Sequence, residues 1–186
     1  MTMERFMRWL ATAATLFVAV PVLAAQNDPR LAALFERLAV SEDDREGELI
    51  QSVIWSIWLQ SGDPRIDALM ARGMEAMEGR DLAGAEKAFT EIVEKKPKFA
   101  EGWNKRATVR YLARNYEGSI ADIEKTLALE PRHFGALSGL GMVYLALGRE
   151  AEALAAFKRA NALYPHLPGA QDQFRELEER IKGRRI

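Results

Sequence analysis

The residues of this chain that could carry chemistry are few and widely spaced. The chain has two histidines, His133 and His166, and no cysteine. The histidines lie 33 residues apart, which is too far for a local metal-binding motif. The sequence therefore predicts no metal site, no disulfide and no thiol chemistry.

The remaining candidate motifs also fail to predict a reactive site. The segment Gly139-Leu140-Gly141 lacks the third glycine of a dinucleotide-binding loop, because Tyr144 stands there, and no strand precedes it. No base lies beside Ser119 or Ser138 in the sequence, and Asp43-Asp44 lacks the central glycine of a calcium loop. We therefore predict that the chain is not an enzyme and holds no cofactor.

The charge balance excludes another class of function. The chain carries 26 basic and 27 acidic side chains, and its formal net charge is −1. A protein that binds nucleic acid usually presents a strongly basic surface, which such a chain does not supply. We expect a partner that is another protein or a peptide segment, and no nucleic acid.

The strongest pattern in the chain is a period of 34 residues. Pro97, Pro131 and Pro165 are spaced at this interval, and each stands near the end of one copy of a common pattern. A period of this length is typical of helical hairpins that stack into an array. We define unit 1 as residues 66–99, unit 2 as 100–133 and unit 3 as 134–167.

Each unit is predicted to form two helices that cross closely. Small residues recur where the helices cross, large apolar residues recur on their inner faces, and the proline ends the second helix because it lacks an N–H. The small positions are Gly73, Ala107 and Gly141 on the first helices and Ala85, Ser119 and Ala153 on the second. The large positions are Leu69, Trp103 and Leu137 on the first helices and Phe89, Ile123 and Phe157 on the second.

These units resemble the tetratricopeptide repeat. Unit 3 fits the pattern of that family best, through Leu137, Leu140, Gly141, Tyr144, Ala153, Phe157 and Pro165. The resemblance implies an all-α fold, a right-handed α-solenoid of helix-turn-helix hairpins that binds other proteins. Residues 168–186 are predicted to add a capping helix, which covers unit 3 with Phe174, Leu177 and Ile181, and a basic tail.

The resemblance also implies which residues face a partner, because the first helices of such hairpins line a concave groove. Some members of the family bind a C-terminal carboxylate through basic and amide side chains. The corresponding places here hold Met70, Met74, Lys105, Gly135 and Gly139, so that clamp is absent. The predicted partner-binding residues are Met70, Met74, Met77, Asn104, Lys105, Thr108, Tyr111, Ser138, Met142 and Leu145, with Glu101 beside them.

Two predictions about buried contacts follow from unusual residues. Arg106 occupies a position that is normally apolar, and Asp122 lies on the facing helix, so we expect an ion pair between them. The alternative is that Arg106 extends to water. The methionines Met70, Met74 and Met77 either face the partner or pack against the N-terminal hairpin.

Residues 1–25 are predicted to be a secretory signal peptide. A weakly basic start precedes the apolar run 9–20, and Ala24 and Ala25 stand before the polar Gln26, so cleavage is expected after either alanine. The predicted location is the periplasm. If the segment is retained, it anchors the protein in the inner membrane instead.

Residues 26–65 are predicted to form a diverged helical hairpin. Counting back by 34 residues makes it a zeroth repeat, with Phe35, Ala39 and Trp55 at repeat positions. Its second helix is apolar on more than one face. It is therefore either packed between the first helix and the repeats, or it exposes Trp55 and Trp58 for contact with another molecule.

Together these patterns predict a periplasmic protein–protein interaction module. It would be an adaptor or assembly factor for an envelope complex that captures a partner segment on its concave face. Two alternatives stay open. One is a membrane-anchored assembly factor of the cytochrome maturation or secretion type, and the other is a structural protein that self-associates.

Overall fold

The computed structural model describes residues 25–41, 43–167 and 170–183, and these residues form a short 3₁₀ helix, Ala25–Asn27, and nine α-helices. The signal-peptide prediction rests on residues 1–24, which lie outside the described ranges, as do residues 184–186 of the basic tail. The helices are α1 (Arg30–Ala39), α2 (Asp44–Trp58), α3 (Pro64–Glu78), α4 (Leu82–Lys95), α5 (Ala100–Leu112), α6 (Tyr116–Leu129), α7 (Phe134–Ala146), α8 (Glu150–Leu163) and α9 (Ala170–Gly183).

The three units form the hairpins α3–α4, α5–α6 and α7–α8 in the predicted register. The backbone confirms the register, because the turn inside each hairpin passes through a left-handed residue at the same place. These residues are Arg80 with φ 61°, Arg114 with φ 61° and Gly148 with φ 71°. Glycine adopts this conformation without strain, whereas the two arginines adopt it against their preference.

The predicted small residues lie at equivalent helix crossings. A Cβ atom placed on Gly73 would stand 2.5 Å from Cε1 of Phe89, and one on Gly141 would stand 2.6 Å from Cε1 of Phe157. In unit 2 the crossing is closed by a hydrogen bond of 2.8 Å, which the Ser119 hydroxyl donates to the carbonyl of Ala107. Each hairpin therefore packs as closely as the repeat pattern predicts.

The N-terminal hairpin α1–α2 does not stack as a zeroth repeat, and this part of the sequence analysis is wrong. Its buried side chains share one core with unit 3 and α9. The apolar face of this hairpin is broad enough to cover an edge of the array, which a stacking unit would not do. The members of this core include Leu31, Phe35, Leu38, Ile50, Ile54, Ile57 and Trp58 from the hairpin and Phe134, Tyr164, Leu167 and Leu177 from the remainder.

The hairpin follows the loops that connect one unit to the next. Near the loop after α4, Gln26 donates a hydrogen bond of 2.6 Å from Nε2 to the carbonyl of Lys98. At the loop after α6, the Arg132 guanidinium lies 4.6 Å from the centre of the Phe35 ring. At the loop after α8, Nδ1 of His166 lies 2.8 Å from a carboxylate oxygen of Asp44.

The two tryptophans of α2 pack inside the molecule. Trp58 is 1% exposed and stacks on the ring of His133, with 4.1 Å between ring centres. Trp55 is partly buried and lies edge-on to Trp58, with 5.4 Å between ring centres. The predicted contact with another molecule through Trp58 is therefore wrong, because this side chain is covered by the chain itself.

Helix α9 covers the open end of unit 3, as the sequence predicts. Leu177 is fully buried in the shared core, and Phe174 and Ile181 pack against it. Among the residues that the structure describes, no helix has both the length and the hydropathy to cross a membrane.

Two glycines on α7 provide a matched test of the crossing geometry. We expect Gly141→Ala to lower the free energy of unfolding by about 1–3 kcal/mol, because its Cβ would overlap Phe157. Gly139→Ala has 3.8 Å of clearance to Ile123, so it should raise that free energy by up to about 1 kcal/mol through helix propensity. Urea unfolding of both variants measures the difference. Equal effects of the two substitutions would contradict the packing described here.

Candidate functional site

A groove lies between α5 and α7, the first helices of units 2 and 3. It contains a cavity of about 100 Å³ with an almost wholly apolar lining. Four predicted groove residues, Asn104, Thr108, Tyr111 and Met142, line this cavity. Gly135 and Gly139 on α7 line it as well, and their missing side chains leave the space between the helices open.

The other predicted contact residues divide into two groups. Met70 is only 3% exposed, because it packs in a core with Phe89, Phe99 and Ala25, so its prediction as a partner contact is wrong. Met74 and Met77 are partly buried against that same core. Ser138 and Leu145 on α7 are also partly buried.

Lys105 is held in place by two contacts inside the molecule. Its ammonium lies 3.2 Å from a carboxylate oxygen of Glu101 and 5.2 Å from the centre of a Trp55 ring. Trp55 in turn covers Gly135, since a Cβ atom placed there would stand 2.8 Å from the indole ring. Helix α2 therefore closes one end of the groove, next to the cavity.

Glu101, predicted to line the groove, is instead buried and forms a polar cluster beneath it. Its side chain is 1% exposed and accepts hydrogen bonds of 3.2 Å from Nδ2 of Asn104. Nε2 of His133 lies 2.9 Å from the carboxylate. Nδ1 of His133 accepts a hydrogen bond of 3.0 Å from the backbone N–H of Ala136 at the start of α7. That second bond assigns the ring proton to Nε2, so His133 donates to Glu101.

The environment of Glu101 favours its ionised form. Burial disfavours the charge, but the hydrogen bond from His133, the charge of Lys105 and the hydrogen bond from Asn104 outweigh it. The pKa of the Glu101 carboxyl is therefore lower than its usual value of 4.5. The sequence gave little warning of this cluster, because Glu101 and His133 stand 32 residues apart.

A second buried network joins the two helices of unit 2 and reaches unit 1. Asp122 accepts hydrogen bonds of 2.8 Å from both Nε and Nη2 of Arg106, which is the ion pair that the sequence predicts. Asp122 also accepts a bond of 2.9 Å from Arg110, whose Nε donates to Glu86 on α4. The Arg106 guanidinium lies 4.9 Å from the centre of a Trp103 ring. One carboxylate therefore fixes two arginines at the junction of units 1 and 2.

These features do not assemble into a reactive centre. Within the part of the chain that the structure describes, no group of three or more His, Asp or Glu side chains is placed to hold a metal ion. His133 is enclosed by Trp58, and the carboxylate of Glu101 is committed to three partners. The geometry is that of a binding surface supported by rigid polar contacts.

Comparison with known proteins identifies this surface. A family model described as the tetratricopeptide repeat matches residues 70–125 and 105–168, which together exceed half of the chain. The chain belongs to the tetratricopeptide repeat family. Its repeats form a module for protein–protein interaction, and proteins built from such repeats are generally not enzymes.

One curated relative resembles this tetratricopeptide repeat protein over nearly its full length. A TPR repeat-containing protein of Rhizobium etli is 37% identical over 177 residues, and the match covers 94% of this chain and 87% of the relative. A match of that extent includes the N-terminal hairpin as well as the three repeats.

Solved structures show the same fold at lower identity. The first TPR domain of Spaghetti (RPAP3), bound to the HSP90 peptide SRMEEVD, has a TM-score of 0.60 and is 19% identical. The TPR2B domain of yeast Sti1, in its complex with pHsp70, has a TM-score of 0.56 and is 22% identical. Each match covers 63% of this chain and 93% of the other chain.

Removing the shared carboxylate of the second network tests its weight in stability. We expect Asp122→Ala to lower the free energy of unfolding by about 3–5 kcal/mol, because it leaves two guanidinium groups without their partner. Glu152→Ala removes an exposed ion pair with Arg149 and is a matched control that should change stability little. Urea unfolding compares the two variants. An unchanged midpoint for Asp122→Ala would show that the network is immaterial.

The lowered pKa of Glu101 predicts a dependence of stability on pH. The ionised carboxylate stabilises the folded state above pH 4.5, the usual value for the group, and this contribution is lost as pH falls through the lower folded pKa. The advantage of the natural chain over Glu101→Gln should therefore be constant near neutral pH and shrink below pH 4.5. Urea unfolding of both proteins across this range measures it. A difference that does not vary with pH would contradict the assignment.

Proposed function

We propose that this protein is a periplasmic adaptor or assembly factor for an envelope complex, and that it captures a partner segment in the groove between α5 and α7. The observation that carries the proposal is the open, apolar cavity that four predicted groove residues line. Open apolar surface of this kind in a repeat array is suited to binding an extended or helical segment.

The groove is built to bind without rearrangement. Asn104 is fixed by Glu101, which His133 and Lys105 hold from two other sides. The spacing of α5 and α6 is set by the Ser119 hydroxyl. A surface that is already ordered loses little conformational entropy when a partner binds, so the contacts contribute more of their energy to affinity.

The groove favours a partner other than the acidic chaperone tails that some structural neighbours bind. Gly135 and Gly139 carry no side chain, and Met70 is buried, so these places supply no positive charge. Lys105 is committed to Glu101. A carboxylate bound in this groove would lack the paired cations that would offset its desolvation.

The proposed location rests on the N-terminal sequence and on one contact of Ala25. The run of apolar residues followed by Ala24 and Ala25 has the form of a cleaved secretory signal. Ala25 is buried in the core of unit 1, and Gln26 binds the loop after α4. We therefore propose cleavage after Ala24, which keeps both contacts in the mature chain. In the alternative, an inner-membrane assembly factor of the cytochrome maturation or secretion type, residues 1–25 stay attached.

The test is capture of partners from a periplasmic extract by crosslinking. We expect Tyr111→Ala and Met142→Ala to reduce partner recovery tenfold or more, because both residues line the cavity. Leu49→Ala removes an apolar side chain that is 64% exposed on α2, away from the groove, and should leave recovery unchanged. Circular dichroism checks that all three variants remain folded.

Two results would count against the proposal. Equal recovery by the groove variants and Leu49→Ala would remove the groove as the binding surface. Mass spectrometry of the same samples reads the mature N-terminus, and a chain that keeps Met1 in the membrane fraction would favour the anchored alternative.

A further inference from the structure

We infer that the cavity beside Gly139 is an anchor pocket for one uncharged aliphatic side chain of the partner, of the size of leucine, isoleucine or methionine. This inference rests on the proposed function of the groove and specifies what the groove recognises. Four properties of the cavity support it, namely its size, its charge, its neighbour Trp55 and its polar rim.

The size of the cavity fits one aliphatic side chain. Gly135 and Gly139 stand one helical turn apart on α7 and both line the space. A Cβ atom placed on Gly139 would meet only Cδ1 of Ile123, at 3.8 Å, so the floor is open. The volume of about 100 Å³ is smaller than the roughly 150 Å³ that accommodate benzene in a protein cavity. A branched or unbranched aliphatic group therefore fits better than an aromatic ring.

The charge of the cavity selects a neutral group. Its lining contains no ionisable Asp, Glu, Lys, Arg or His side chain. The closest basic residue of the groove, Lys105, is paired with Glu101. An acidic or basic side chain would lose its hydration in this pocket and gain no partner, whereas an aliphatic side chain would gain by leaving water.

The molecule already contains a contact of the same kind next to the pocket. Trp55 reaches from α2, outside the repeats, and packs directly on the bare backbone of Gly135. The open pocket at Gly139 continues this interface by one turn of α7. A partner side chain that enters there would extend the apolar contact that Trp55 begins.

The rim of the pocket offers one polar contact for a main chain. Nδ2 of Asn104 is committed to Glu101, so Oδ1 is the atom of this side chain that can accept a hydrogen bond from a bound segment. An aliphatic side chain in the pocket and a backbone N–H at Asn104 together define an uncharged segment of a polypeptide as the ligand.

The direct test uses a small probe and does not require the partner. N-acetyl-leucinamide is added to the full chain while methyl NMR signals of Met142 and Ile123 are followed. We expect saturable shifts of both signals with a dissociation constant of the order of millimolar, as befits a ligand of this size. N-acetyl-aspartamide with a free side-chain carboxylate should cause no such shift at the same concentration.

Two substitutions give the test its control. Gly139→Met places a side chain in the pocket and should abolish the shifts, and Gly139→Ala should weaken binding in a protein that is at least as stable. Ala71→Met makes the same change at the equivalent position of unit 1, where Ala71 is exposed, and should leave binding intact.

The outcomes separate this inference from the proposed function. Absent shifts, or equal binding by Gly139→Met and the natural chain, would overturn the inference even if Tyr111→Ala abolished capture of the partner. Binding of the leucine probe together with partner capture that Tyr111→Ala leaves unchanged would support the pocket and refute the proposed function of the groove. Preferential binding of the aspartate probe would overturn the inference directly.

Discussion

The fold depends on covering the edge where one unit connects to the next. Each connecting loop leads into a large apolar side chain, and Phe99, Phe134 and Leu167 are all buried there. The repeats alone do not cover this row, because each hairpin turns its apolar face towards the next hairpin along the array. Helices α1 and α2 cover it, and they bury their own apolar residues in the same contact. The edge and the N-terminal hairpin are therefore stable only together.

Unit 2 is stabilised differently from its neighbours, and the difference shapes the groove. Units 1 and 3 close their crossings with a glycine under a phenylalanine, whereas unit 2 uses a serine hydrogen bond and the network around Asp122. Beneath the groove, Glu101 and His133 connect α5 to the start of α7. These directional contacts fix the distance between the two helices more tightly than apolar packing alone, which keeps the cavity open.

The sequence was sufficient for what repeats and insufficient for what does not. The spacing of the prolines and of Gly73, Ala107 and Gly141 predicted every hairpin, because close crossings require small residues at fixed intervals. The pair of Arg106 and Asp122 was predictable because a charged residue at a core position needs a partner. The packing of α1–α2 was not, since a segment outside the period carries no register. Burial of Met70 and Glu101 depends on that packing and on the 3₁₀ helix, so both were misplaced.

The length of α2 has a consequence for how this protein can evolve. Its 15 residues span about 22 Å, and the hairpin that contains it runs from the loop after unit 3 to the first unit. Duplication of a unit, the usual route by which such arrays lengthen, would add a loop that this helix cannot reach. The N-terminal hairpin therefore acts as a molecular ruler, which selects for three repeats and confines diversification to substitutions within the groove.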